Sequence, residues 1–131
     1  MKLKYIICFA CTLILGVAMV WCSRTPVVTV EEVNRLIEKE VPDGASVSQV
    51  ESFLDAHKIQ HSKIFEHSLE SDFHNNPKLD GKRERIRGVV VAMLRNVESN
   101  FLVSWSISLN FYFDKQGNLV EYTIMKIGTG L

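Results

Sequence analysis

The chain has 131 residues and no net formal charge; 47% of the residues are hydrophobic and 23% charged. That length holds one domain, and the composition is that of a folded protein rather than a disordered or fibrous one. Beyond residue 23 there are 13 basic residues against 15 acidic ones, which excludes the strongly basic face of a nucleic-acid binder.

The three cysteines, Cys8, Cys11 and Cys22, all fall in the first 22 residues. The rest of the chain therefore has no disulfide, no cysteine metal site and no thiol nucleophile, and rests on its hydrophobic core. Tyr5 to Cys22 is a run of 18 residues without a charge, with Lys2 and Lys4 before it and Arg24 after it. As a helix it would span about 27 Å, close to the hydrocarbon thickness of a bilayer. The first reading is an uncleaved membrane anchor over 1–23. A signal cleaved after Ala18, or a lipoprotein lipidated at Cys22, is the alternative, although Trp21 suits a lipidation site poorly. The two lysines favour a cytoplasmic N-terminus and place the following domain on the non-cytoplasmic side, in the periplasm or outside the cell.

Residues 24–28 form a linker in which Pro26 discourages a continuing helix. A single domain is then expected over 29–131. Thr29-Val30-Glu31-Glu32 fits a capping box, and Val30, Val33, Leu36 and Ile37 make one apolar stripe of a helix that Pro42 ends. Ser46-Val47-Ser48-Gln49 starts a second helix in the same way, with Val47, Val50, Phe53 and Leu54 on its buried side. Both helices are too short to stand alone and must pack on a sheet.

Residues 59–87 are the least regular part, with a short edge strand at Ile64-Phe65 and a turn-rich, charged loop from Ser68 onward. Two groups in it are candidates for chemistry. His57, His61, His67 and His74, with Glu66, Glu70 and Asp72, have the residue types of a divalent-metal site, but their spacing lacks a metalloprotease motif, so no metal or other cofactor is expected. Lys78, Lys82, Arg83, Arg85 and Arg87 could meet an anionic partner; the alternative is a solvated loop with local charge pairs.

The remaining chain reads as a three-stranded antiparallel meander over about 87–97, 101–113 and 119–127. Gly88 to Val97 is nearly unbroken apolar sequence, the mark of a central strand. From Val103 to Phe113 the odd positions are large and apolar and the even ones mostly polar, which predicts one buried and one mostly wet face. Matching apolar partners selects a four-residue loop over Asp114 to Gly117, pairing Phe111 with Val120, Leu109 with Tyr122 and Ile107 with Ile124. Leu119, Thr123, Met125 and Ile127 then share the other face with Tyr112. Tyr112, Leu119 and Met125 are candidates for a docking patch there, unless the long loop covers them. The fold expected is α+β: two short helices on a three- or four-stranded antiparallel sheet.

Two segments carry a resemblance. Val41-Pro42-Asp43-Gly44-Ala45-Ser46-Val47-Ser48-Gln49-Val50-Glu51-Ser52-Phe53-Leu54 and the hairpin from Phe111 through Asp114-Lys115-Gln116-Gly117 to Leu119 resemble the SmpA/OmlA family of small bacterial envelope proteins. The fold of that family is shared with β-lactamase-inhibitor-protein-like domains. The resemblance implies a non-enzymatic module that binds a protein or envelope component, and it transfers no catalytic residue. From the residues alone, three function classes stand: a membrane-tethered binding domain, an inhibitor or immunity-type protein that blocks a partner enzyme, and a metal-dependent hydrolase using the histidines. Against the last, no Gly-x-Ser-x-Gly, phosphate-cradling glycine loop or spaced carboxylate pair occurs.

Overall fold

The computed structural model of the chain describes residues 28–66, 76–99 and 102–130. The apolar run at 5–22, Cys22, His67 and His74 lie outside the described residues. No described helix is long and apolar enough to cross a membrane. The elements in chain order are α1 (Val30–Glu40), α2 (Val47–Ala56), β1 (Gln60–His61), two 3-10 turns (Pro77–Leu79 and Arg83–Arg85), β2 (Gly88–Ser99), β3 (Val103–Phe113) and β4 (Leu119–Gly130). The strands form one antiparallel sheet in the order β1-β2-β3-β4.

Both helices start where the sequence predicts. The Glu32 N–H donates to Thr29 Oγ1 at 3.2 Å while the Thr29 N–H donates to Glu32 Oε2 at 3.1 Å. Ser46 and Gln49 exchange the same pair at 3.3 and 2.8 Å. Each box satisfies backbone donors that a helix start would otherwise leave unpaired. α2 ends in a Schellman motif. The Ile59 N–H reaches Leu54 O at 2.8 Å and the Lys58 N–H reaches Asp55 O at 3.0 Å, with Lys58 held at φ +55°. This turn folds Ile59 back into the core beside Leu54.

The helices lie on one face of the sheet, α1 over β4 and α2 over β1. Val33, Ile37, Val50, Phe53 and Leu54 meet Val90 and Ala92 of β2 and Ile107, Leu109, Phe111 and Phe113 of β3. The odd face of β3 is therefore buried as predicted. The even face is not wet at that end of the strand. Every residue from Ile107 to Phe113 is buried, including Ser108, Asn110 and Tyr112. A second cluster accounts for the last of these: Leu79 and Ile86, from the segment of 3-10 turns, close over Val89 and Tyr112 with Val91 and Val120 beside them. What reads as a charged surface loop supplies a partial third layer.

The β3–β4 turn differs from the four-residue loop that apolar matching selects. The Asp114 N–H donates to Asn118 O at 2.9 Å, and Gly117 takes φ +81°, so the turn itself holds Lys115, Gln116 and Gly117. Asp114 Oδ1 accepts the N–H groups of Gln116 and Asn118, both at 2.9 Å. Those donors, Asn118 foremost, hold the exposed Asp114 carboxyl below its usual range. A bulge at Val120 then shifts the register by one, giving Phe111↔Tyr122, Leu109↔Ile124 and Ile107↔Lys126. The bulge resolves the conflict between turn and pattern: Tyr122 and Ile124 still face the helices. It also moves Leu119 onto the helix side, where it packs against the main core.

A second irregularity, between Leu94 and Glu98 of β2, is centred on Asn96 at φ +53°. The Ser104 hydroxyl donates to Asn96 Oδ1 at 2.6 Å and fixes the bulge to β3. At the other edge, β1 spans only Gln60 and His61, and the expected strand at Ile64-Phe65 is reduced to a bridge between Phe65 and Val89. Because Leu54 is fully buried at the point where α2 meets the sheet, Leu54→Ala is expected to cost about 2–5 kcal/mol in chemical denaturation. A loss below about 1 kcal/mol would show that α2 is not anchored as described.

Candidate interaction face

The face of the sheet away from the helices is organised in cross-strand rows, set by the pairings of β2, β3 and β4. The row Val89–Tyr112–Glu121 lies under Leu79 and Ile86. Next comes Val91–Asn110–Thr123, then Met93–Ser108–Met125, then Ser106 with Ile127. Side chains two residues apart share a face, so the alternation that buries the odd side of β3 also places these small polar residues together on the other. Met125 and Ile127 are 47% and 40% exposed, and they flank a floor in which Ser108 and Asn110 are buried. Flexible methionines around a polar floor make a surface that adapts to different shapes.

The five basic residues are not gathered into one patch. Lys82 Nζ pairs with Glu121 Oε2, while Glu121 Oε1 accepts the Tyr122 N–H at 3.1 Å, so both carboxylate oxygens are engaged. Lys78 Nζ stands 5.6 Å from the centre of the Tyr122 ring. Arg87 Nη1 donates to Ile86 O at 2.8 Å, and Arg85 lies near enough to Asp114 to favour its ionised form. Arg83 opens the second 3-10 turn. Lys78 and Lys82 thus attend β4, and Arg85 and Arg87 the β3–β4 turn.

Of the three docking candidates, Met125 alone is exposed on the far face. Tyr112 is 1% exposed, because Leu79 and Ile86 cover it, and Leu119 faces the helices because of the bulge. Cross-strand alternation locates Met125 and Ile127 but is blind to a bulge, and it assigns no role to two apolar residues in a charged loop.

A feature without any sequence signal lies along the outer side of β4. A cleft of about 620 Å³ runs between α1 and the first 3-10 turn, lined by Asn34, Arg35, Asn76, Lys78, Thr123 and Ile124. The Thr123 hydroxyl beside it is buried and has no hydrogen-bond partner among the described residues. On the helix side of the same strand, the Tyr122 hydroxyl donates to Asn34 Oδ1 at 3.0 Å and ties α1 to β4. Burial pushes this phenol above its ordinary pKa, and the charges of Glu38, Glu121 and Asp43 add to the shift, so the hydroxyl stays a donor.

The two described histidines, His57 and His61, have structural partners. His57 Nε2 meets Glu40 Oε2 at 2.7 Å and links the ends of the two helices. His61 Nδ1 lies 2.9 Å from Ser62 O and its Nε2 3.0 Å from Asp55 Oδ1. Among the described residues, no group of His, Cys, Asp and Glu is placed to hold a metal ion. No protein-family model, curated protein or solved structure matches the chain.

Both His61 nitrogens face oxygen acceptors, so both act as donors in the imidazolium form. The Ser62 carbonyl and then Asp55 raise its pKa above the ordinary value of 6.5. A raised folded pKa gives stability that is fully present below about pH 6.5 and lost as the pH rises through the folded value. Denaturation midpoints are expected to fall between about pH 6 and pH 8, and His61→Gln to remove that part of the dependence. An unchanged pH profile in His61→Gln would assign the dependence elsewhere.

Proposed function

We propose that the chain is a non-enzymatic, membrane-tethered domain of the cell envelope that binds a protein or envelope component. The 18-residue uncharged run at 5–22 is the tether, and its flanking lysines put the domain on the non-cytoplasmic side. The observation that carries the binding reading is the half of the second sheet face that Leu79 and Ile86 leave uncovered. There Met93, Met125 and Ile127 surround a floor of serines on a rigid antiparallel scaffold. Large apolar side chains left exposed together on a rigid element are the arrangement of an interaction surface. The resemblance to SmpA/OmlA proteins agrees with this reading.

The tether is checked by mass. The mature protein is expected at the full 14.9 kDa; loss of the N-terminal segment or added lipid mass on Cys22 would replace the anchor by a cleaved signal or a lipoprotein. The surface is checked with a photo-crosslinking residue at Met93, which lies two strands from β4, in full-length protein in native membranes. A discrete adduct of a second protein or a lipid is expected there. Equal labelling from Gln116, on the exposed turn, would overturn the assignment of the face.

A further inference from the structure

The two edges of the sheet are protected very differently. β1 is two residues long, whereas β4 runs for twelve, from Leu119 to Gly130. A long edge strand offers unpaired N–H and C=O groups to any extended chain, and folded proteins guard against this with charges, prolines or bulges. In β4 the guards stand at one end only. The Leu119 N–H donates to Ala45 O at 2.8 Å, Asn118 bridges to Ser46, the bulge lies at Val120, and the Tyr122 N–H is taken by Glu121.

From Ile124 onward no described residue pairs with the outer side of the strand. Antiparallel alternation turns the backbone groups of Ile124, Lys126 and Gly128 outward, in step with Tyr122. β4 contains no proline, and its one lysine does not guard the edge. Lys126 reaches inward across β3, with its Nζ 2.6 Å from Glu98 Oε2 and 5.0 Å from the centre of the Trp105 ring.

We propose that β4 pairs antiparallel with β4 of a second copy of this chain, about a two-fold axis through Met125. Three observations select this occupant and register. First, both charges on the strand are paired within their own chain, Glu121 with Lys82 and Lys126 with Glu98, so the edge has no net charge to attract a charged partner or to repel a copy in a register that keeps the two lysines apart. Second, an axis through Met125 sets Ile124 opposite Lys126 of the second copy, an outward pair that exchanges both backbone hydrogen bonds. It also makes the exposed Met125 side chains neighbours in the closer, non-hydrogen-bonded pair. An axis through Lys126 would instead face lysine with lysine, which is destabilising. Third, the two-fold sets the small end of the strand, Gly128-Thr129-Gly130, opposite the end closed by Tyr122, Glu121 and the bulge, while Thr123 and Ile124, which line the cleft between α1 and the first 3-10 turn, face Ile127 and Lys126 of the second copy. The dimer joins the two far faces into one surface. It stands or falls independently of whether that surface has another partner.

The chain beyond residue 22 has no cysteine, which allows a direct test. Full-length protein with Cys8, Cys11 and Cys22 replaced by alanine carries Met125→Cys in membranes and is oxidised. Residues in a close antiparallel pair lie within disulfide reach, so a linked dimer is expected at about tenfold or more above Ser52→Cys on the exposed side of α2. Adding Lys126→Pro removes an outward N–H while sparing the bonds to β3, and is expected to abolish the link with the circular dichroism spectrum retained. The proposal is overturned if Met125→Cys links no better than Ser52→Cys. A link that survives Lys126→Pro, or an adduct with a different protein, overturns it as well.

Discussion

The structure depends on β3 being covered on both faces at its Ile107–Phe113 end. The helices cover one face, and on the other Leu79 with Ile86 cover Tyr112. A domain of this size has little apolar surface to spare and rests on a narrow margin of stability. Burying the Tyr112 ring beside Val89 adds apolar contact that a helix-on-sheet pair lacks. It also fixes the 76–87 segment over one half of the far face and leaves the other half, from Met93 to Ile127, outside the cover.

The helices and the identity of the strands were legible in the chain because their signals are local. A capping box needs only Thr29 and Glu32, or Ser46 and Gln49, three residues apart, and a helical stripe needs only its own spacing. The alternation along β3 showed which side chains go to the helices, and that survives intact. The register was not legible, since two local demands conflict. Asp114 and Gly117 shape a three-residue turn, whereas the apolar residues of β4 ask for the opposite facing. Val120 settles the conflict by bulging, and a bulge has no residue signature of its own.

The candidate site was legible only in part, for a related reason. Met125 is where alternation puts it. Tyr112 was hidden by Leu79 and Ile86, which lie among Lys78, Asp80, Lys82, Arg83, Glu84 and Arg85 and look like the occasional apolar residues of any surface loop. Only the long-range fold makes them a cover. The basic residues of the same segment illustrate the converse. Their density in sequence suggests one anionic site, yet Lys82 is bound to Glu121 of β4, while Arg85 is near enough to Asp114, at the β3–β4 turn, for their charges to interact. Clustering along the chain is not clustering in space.

Lys126 shows how one side chain can relate the two halves of the functional reading. An outward lysine on β4 would keep the edge solvated and leave Trp105 and Gly128 uncovered. Drawn inward to Glu98, it lies over the Trp105 ring, which itself packs on Gly128, where a Cβ would come within 2.8 Å of the indole. The glycine is thus required by the tryptophan, and the tryptophan offers a seat for the ammonium. The same arrangement that closes the helix-side surface at this end of the sheet removes the charge from the strand edge. An exposed edge is ordinarily a liability. Here the groups that could guard it, Lys126 and Glu121, are both spent on internal contacts, and that is the physical basis for reading β4 as a surface meant to be paired.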